Sequence, residues 1–391
     1  MPTESSGGSP PLPHRVELDP PSDTGALQPE GPNTDSDAGV PPEAPAQQHV
    51  DDAGVQERIG DLVDDTAGSD ADAFDKRLVR DMLTAALKLI PDGRHTGELK
   101  LMAAALKELR YAYRVFGQYA ERPKVTIFGS ARTPEDHPDY RSAVDFSKLM
   151  ADSGWMTITG AGDGIMKAGH EGPGREASFG VAIRLPFETT ANEVIKGDEK
   201  LINFRYFFTR KLMFLSQCEA VVCFPGGFGT LDEAFETLTL IQTGKAAMVP
   251  IVLVEGNHDH RGYWDGFDTF VRAQLGERGW ISREDTDFYY IAPTPEDAVE
   301  HVLKFYRVYH SSRYVRDDLI IRLNRPVPDS FVAELNDEFA SLIKKGSITQ
   351  RGAYEAESDA LDLPRLVFTH TRHHYGLVRR LIGRINEAPE V

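Results

Sequence analysis

The chain is poor in cysteine, in positive charge and in long apolar runs. Of 391 residues only Cys218 and Cys223 are cysteines, and their spacing at a helix-to-strand junction reads as two buried free thiols rather than a metal or redox pair. No apolar stretch is long enough to span a bilayer, and the N-terminus lacks the basic start and apolar block of a signal peptide. A cytoplasmic protein is the expectation. The formal net charge is −18, but residues 1–72 hold 16 acidic against two basic residues, so the rest of the chain carries only −4. Without a basic surface, broad attraction to a nucleic-acid polymer or an anionic membrane is not indicated, while binding of a small anion stays open. Also missing are a G-x-S-x-G elbow, which removes support for nucleophilic acyl transfer, a Walker A loop and any internal repeat.

What is present suffices for one large domain or two smaller ones, since 40% of the residues are hydrophobic. Residues 1–72, rich in Pro, Gly, Ser, Asp and Glu, cannot bury enough apolar surface to offset chain entropy and read as a disordered arm. Residues 73–120 carry two helical patterns, Ala73 to Ile90 and Thr96 to Gln118, with apolar stripes at Leu83, Leu87 and Ile90 and at Met102, Leu106, Leu109 and Tyr113. They are expected to pack on the domain that follows. In residues 121–310, short apolar runs alternate with helical stretches. Val125 to Phe128, Trp155 to Thr159, Gly180 to Ile183, Ala220 to Phe224 and Pro250 to Val254 read as strands, and Asp139 to Ser153, Asn203 to Gln217 and Thr230 to Gln242 as helices. The alternation predicts an α/β fold, a Rossmann-like doubly wound parallel sheet with helices on both faces. Residues 311–391 read as a small C-terminal α+β appendage, with strands at Asp317 to Leu323, Ile348 to Glu355 and Leu366 to His370 and helices at Asp329 to Lys344 and Tyr375 to Ile385.

Ligands of such sheets bind at the carboxyl ends of strands, and three loops there are rich in small residues. After the first strand, Gly129 permits close backbone approach, Ser130 can donate to a phosphate oxygen and Arg132 can pair with it; alone, this is also an ordinary strand-ending turn. After the second, Thr159 to Met166 places Gly160, Gly162 and Gly164 at alternate positions, which suits either a tight turn or an anion site at a helix start. The third is the most informative. Pro225 stops a strand, Gly226, Gly227 and Gly229 open the backbone, and Thr230 starts and caps a helix whose free first-turn amides and dipole favour a phosphate.

Glu233 lies one turn into that helix, with Glu236 on the same face. The helix N-terminus and a nearby arginine should keep Glu233 ionised, fit to stabilise a developing cation or orient a water; a dipole-stabilising surface carboxylate is the plainer alternative. Phe204 to Phe214 is a strongly aromatic helix carrying Arg210 and Lys211, cations that need an anionic partner if buried. A solvated face or structural ion pair would account for them too. His258, Asp259 and His260, and His370, His373 and His374, read as solvated or packing residues rather than metal ligands.

FGSAR, TGAGDGIMKA, LPFE at Leu185 to Glu188, FFTRK and PGGFGTLDEAFETLTLIQT, taken together over about residues 121–310, resemble the Lonely Guy (LOG) family, once labelled lysine decarboxylases, and its longer bacterial branch above all. The resemblance implies a phosphoribohydrolase that cleaves the N-glycosidic bond of nucleoside 5′-monophosphates, cytokinin ribotides among them, to free base and ribose 5-phosphate, without metal or organic cofactor. It implies Arg210 and Glu233 as the catalytic pair and Lys211, Gly226, Gly227, Gly229, Thr230, Asp232 and Thr239 as nucleotide contacts, in a homo-oligomer with sites near subunit contacts. Asp163 and Lys167 depart from the family pattern, which has Pro and Glu there. A non-catalytic nucleotide-binding or carrier protein of the same fold is the alternative. Decarboxylation would need a Schiff-base lysine and a pyridinium partner, and no residue answers to either.

Overall fold

The computed structural model describes residues 49–68, 71–183, 191–256, 262–355 and 357–390. The described residues divide into two compact units, a smaller one up to Glu108 and a larger one from Leu109 onward. Most of the expected disordered arm lies outside the described residues.

The smaller unit holds α1 (Ala53–Ala67), α2 (Ala73–Lys88) and the first half of α3 (Thr96–Gly117). Helix α1 corrects the expectation of disorder up to residue 72. Ile59 and Val63, one turn apart, are buried, and Asp64 pairs with Lys76 at 3.4 Å and Arg80 at 2.6 Å on α2. Two apolar residues on one face suffice once a neighbouring helix supplies the rest of the surface. Asp72 caps α2 by accepting from the Phe74 N–H at 2.7 Å. The expected stripe residues Leu87, Ile90, Met102 and Leu106 remain exposed.

In the larger unit the described residues form a parallel sheet of seven strands: β1 (Lys124–Phe128), β2 (Met156–Thr159), β3 (Ser178–Ile183), β4 (Leu201–Phe204), β5 (Ala220–Cys223), β6 (Ile251–Val254) and β7 (Tyr289–Ala292), in the order β4-β3-β2-β1-β5-β6-β7. Alternate residues feed two cores. Val125, Ile127, Val222 and Val252 face α4 (Pro138–Asp152), α5 (Ile165–Glu171) and α9 (Pro295–Phe305); Phe128, Ile158, Val221 and Leu253 face α6 (Phe207–Ser216), α7 (Phe228–Gln242) and α8 (Tyr263–Phe270). Burial on both faces is why the strands read as unbroken apolar runs. Phe116, at the end of α3, stacks on Phe179 of β3 at 4.4 Å between ring centroids. This is the Rossmann-like doubly wound sheet that the alternation predicts.

An α+β appendage follows: β8 (Tyr309–Val315), β9 (Asp318–Leu323), α10 (Asp329–Glu338), β10 (Ile343–Arg351), β11 (Arg365–His370) and α11 (Tyr375–Ile385). Its antiparallel sheet runs β10-β11-β9-β8. Helix α10 stops six residues before the expected end, and β10 begins at Ile343 instead of Ile348. Phe339 and Leu342 continue the helical spacing of Leu335, yet both reach the same core through a tight turn. The Asn336 side chain fastens that turn, donating to the Ile348 carbonyl at 2.9 Å and accepting from the Ile348 N–H at 2.7 Å. On the other face of this sheet the register partners Arg322 and Arg365 share the fully buried Glu357, at 2.8 and 3.0 Å. His370 bonds Tyr314 at 2.6 Å.

Both cysteines are buried, and burial pushes the thiol pKa of each up. No helix among the described residues is long and apolar enough to cross a membrane.

Candidate active site

Strand β1 lies between β2 and β5, and the order of connection reverses there. Loops leaving such neighbouring strands part to opposite faces and open a crevice at the carboxyl edge. All three loops singled out in the sequence meet at Ser130. Its N–H donates to the Pro225 carbonyl at 3.2 Å, and its carbonyl accepts from the Ile165 N–H at 3.0 Å. Gly129, just before it, packs beneath the Ile165 side chain.

Glycines of these loops sit in crowded places. A Cβ on Gly226 would meet the Thr230 side chain and lie 3.0 Å from the Ser130 nitrogen. One on Gly160 would lie 2.5 Å from both an Arg210 Nη2 and the Met166 sulfur, and the same Met166 fills the space against Gly162. Helix α7 begins at Phe228 with Gly227 before it and no side-chain cap. Thr230 is therefore not the cap that the sequence suggests; it lies inside the first turn, its side chain turned to Gly226. Gly227, Phe228 and Gly229 are exposed, Phe228 at 94%, so the uncapped start of a fifteen-residue helix faces the crevice edge. Such an end attracts anions.

Some supporting residues carried no legible signal. His170, fully buried on α5, lies 2.9 Å from the Thr159 hydroxyl and 3.0 Å from the Phe179 carbonyl, with Asn192 Oδ1 at 3.3 Å from Nδ1. Asn192 donates to the Gly162 carbonyl at 3.0 Å and its N–H to the Ala161 carbonyl at 2.8 Å. Together they hold the second loop, in which Ala161 adopts a φ of 64°. Burial drives the His170 pKa down to about 4, so it holds the loop as a neutral ring. The Tyr263 hydroxyl steadies the third loop by donating to the Gly226 carbonyl at 2.6 Å. An isolated histidine, asparagine or tyrosine far away in sequence gives no local pattern; only the tertiary contact reveals it.

The charged residues come from α6 and α7. Arg210 donates Nε to the Val181 carbonyl at 2.8 Å and lays its guanidinium 5.0 Å from the Phe214 ring centroid. The Lys211 ammonium lies 2.8 Å from Asp232, 3.3 Å from Glu233 and 2.5 Å from Glu236. Glu233 is 8% exposed, and its Oε2 accepts no hydrogen bond; the ion pair with Lys211 supplies charge without hydrogen-bond geometry. Burial is the largest influence on Glu233 and raises its pKa, Lys211 and Arg210 lower it, Glu236 raises it, and the net shift is upward. The two cations are legible in the sequence as Arg210 and Lys211, whereas the desolvation of Glu233 arises only from tertiary packing. Asp232 is exposed at the rim.

Not every expected residue joins this cluster. Thr239 is exposed in the second half of α7, its hydroxyl returned to the Phe235 carbonyl at 2.8 Å. It lies about 13 Å along the helix from Thr230 at 1.5 Å per residue. Lys167 turns to Glu135 at 2.7 Å and Glu193 at 2.8 Å, and Asp163 is exposed. Leu185 to Glu188 and the His258, Asp259, His260 cluster lie outside the described residues. Among the described residues no group of three His, Cys, Asp or Glu side chains is placed to hold a metal ion.

Residues 160–302, which include the second and third loops, α6 and α7, match the family model described as "Possible lysine decarboxylase". The chain is 28% identical over 207 residues to "Cytokinin riboside 5'-monophosphate phosphoribohydrolase LOG" of Oryza sativa subsp. japonica, covering 51% of this chain and 77% of that protein. It is 35% identical over 101 residues to "Probable cytokinin riboside 5'-monophosphate phosphoribohydrolase LOGL3" of the same plant, which is 26% of this chain and 44% of that protein, so it spans less than half of that relative. The chain is homologous to proteins of this family over part of its length. Among solved structures, the molybdenum cofactor binding protein of the phototrophic bacterium Rippkaea orientalis is 20% identical, with a TM-score of 0.33, over 46% of this chain and 96% of that one.

Proposed function

We propose that the chain hydrolyses the N-glycosidic bond of nucleoside 5′-monophosphates, releasing the base and ribose 5-phosphate. The observation that carries this reading is the buried Glu233 Oε2, which accepts no hydrogen bond and lies beside two cations at the start of a helix suited to phosphate. A buried carboxylate oxygen whose nearest donor is an ammonium 3.3 Å away, off hydrogen-bond geometry, is incompletely satisfied and calls for a functional reason. Cleavage at the anomeric carbon passes through an oxocarbenium-like state, which an adjacent fixed carboxylate stabilises and to which it can direct a water.

In this reading the phosphate sits on the amides of Gly227, Phe228 and Gly229 at the start of α7, with Thr230 and Ser130 beside it. Arg210 is positioned by Val181 and Phe214 and orients the phosphate or the carboxylate. Glu233 faces the ribose, and Gly160 and Gly162 serve the site indirectly, by making room for the Met166 and Arg210 side chains that pack against them. Water attacks the anomeric carbon as the bond to the base breaks; its proton passes to solvent or to the departing base. Neither metal nor organic cofactor enters. The same reading carries a cytoplasmic homo-oligomer of the longer bacterial LOG branch, and Thr239, remote from the cluster within one chain, would contact nucleotide only near a subunit contact.

Purified full-length protein incubated with AMP, GMP, CMP, UMP and isopentenyladenosine monophosphate should release base from at least one, and Glu233→Ala should abolish it. Release no faster from the wild type than from Glu233→Ala on every substrate would leave nucleotide binding without turnover as the surviving reading.

A further inference from the structure

Arg210 and Lys211 are adjacent on α6 but serve different partners. Lys211 is met by three carboxylates from one stretch of α7: Asp232 at 2.8 Å, Glu233 at 3.3 Å and Glu236 at 2.5 Å. An ammonium has three protons, and three carboxylates already surround this one. To bind a phosphate it would have to give up an existing ion pair, two of which involve partly or well covered side chains.

We propose that Lys211 is a positioning residue for Glu233: Asp232 and Glu236 fix its ammonium, and the ammonium holds the Glu233 carboxylate in its charged form and in place, so the lysine serves the carboxylate and not the phosphate. The inference rests on the role given to Glu233 in the proposed reaction, and it departs from the expectation that Lys211 contacts the nucleotide. It explains how Oε2 can be both paired and available. At 3.3 Å without hydrogen-bond geometry, the ammonium contributes its field while leaving the oxygen's lone pairs unused.

The groups facing Glu233 act in known directions. Burial favours the neutral acid, Lys211 and Arg210 favour the anion, Glu236 disfavours it, and the neutral Cys223 thiol lies near. Removing the Lys211 charge therefore takes away the strongest influence favouring the anion, while burial and Glu236 still favour the neutral acid. Lys211 itself is held charged by Asp232 and Glu236 against its own burial.

The test is a carboxyl carbon NMR titration of the full chain with labelled glutamate, the Glu233 resonance being assigned by its loss in Glu233→Gln. In Lys211→Met the midpoint should rise by about one pH unit or more, the size of effect an opposite charge at this distance exerts. Lys211→Arg should restore it toward the wild type. Base release supplies a second reading: the acidic limb of kcat/KM should move upward with the midpoint, whereas a lost phosphate contact would raise KM at every pH with the limb in place. An unmoved midpoint in Lys211→Met overturns the proposal. If Lys211→Met does not fold, a midpoint in Lys211→Arg that rises as far as one unit overturns it as well. Absence of base release from the wild type would refute the proposed function while the titration still decides the role of Lys211.

Discussion

Gly160→Ala would place a Cβ 2.5 Å from Arg210 Nη2 and 2.5 Å from the Met166 sulfur. Ordinary contact between such atoms begins about 1 Å further out, so each must retreat by roughly that distance. Both are near the ends of flexible side chains, and each can yield by rotating. The stability cost should then stay near the low end of overpacking, about 1 kcal/mol. Catalysis has no such latitude, because Arg210 is held by the Val181 carbonyl on one side and the Phe214 ring on another. A displacement of about 1 Å at an orienting group costs on the order of 100-fold in rate, equivalent to about 2.7 kcal/mol of transition-state stabilisation. The assay pairs kcat/KM for base release with urea unfolding of the same preparation, and the expected result is a large kinetic loss with a small shift in midpoint. Wild-type kcat/KM within about twofold would show that the position of Arg210 does not matter to the reaction. A stability loss beyond about 3 kcal/mol would show that the neighbours cannot yield, and the magnitude argument would fail.

Two further predictions concern stability alone. His170 has a folded pKa of about 4 against an ordinary 6.5, so the unfolded chain takes up its proton first as the pH falls. Stability is therefore lost below about pH 6.5 and the loss levels off below about pH 4, amounting to about 2 kcal/mol by pH 5. Urea unfolding of His170→Gln should show a correspondingly flatter pH dependence than the wild type, and parallel profiles would contradict the buried neutral ring. Glu357→Ala removes the carboxylate shared by the buried Arg322 and Arg365. Arg322 keeps Asp359 at 2.7 Å, so Arg365 bears most of the loss; the cost in chemical denaturation should be about 3 kcal/mol, the low end for a broken buried pair, and a loss under about 1 kcal/mol would show that Arg365 is satisfied without the carboxylate.

The elements that could be read without a structure are those whose burial is uniform. Helix α11 spans Tyr375–Ile385 as its spacing predicts, because one continuous apolar face meets one continuous core. The central strands β1, β2, β5 and β6 read as apolar runs because both faces are covered. The two strands of the large sheet that carry no clear apolar run, β4 and β7, are its edges. Leu201–Phe204 mixes buried and exposed positions and runs into the aromatic FRYFFTRK segment, so Asn203 and Phe204 read as the start of α6. Tyr289–Ala292 follows a turn rich in Asp and Glu and is only partly buried. Strand β8 is hidden in the sequence for the same reason, its outer half being incompletely covered.

The amino-acid sequence by itself determined the alternation that makes a parallel sheet, the glycine-rich breaks at its carboxyl edge, and the pairing of a basic aromatic helix with PGGFGTLDE. Those properties are local: apolar period, backbone freedom and helix-start chemistry are all written within a dozen residues. Only the tertiary structure decided that the three loops meet at Ser130, that Lys211 faces three carboxylates, and that Glu233 is desolvated enough for burial to outweigh its neighbouring cations. It also placed Thr239 away from the cluster and brought His170, Asn192 and Tyr263 to support it. Charge and hydrogen bonding depend on distance and dielectric in three dimensions, and neither is a function of spacing along the chain.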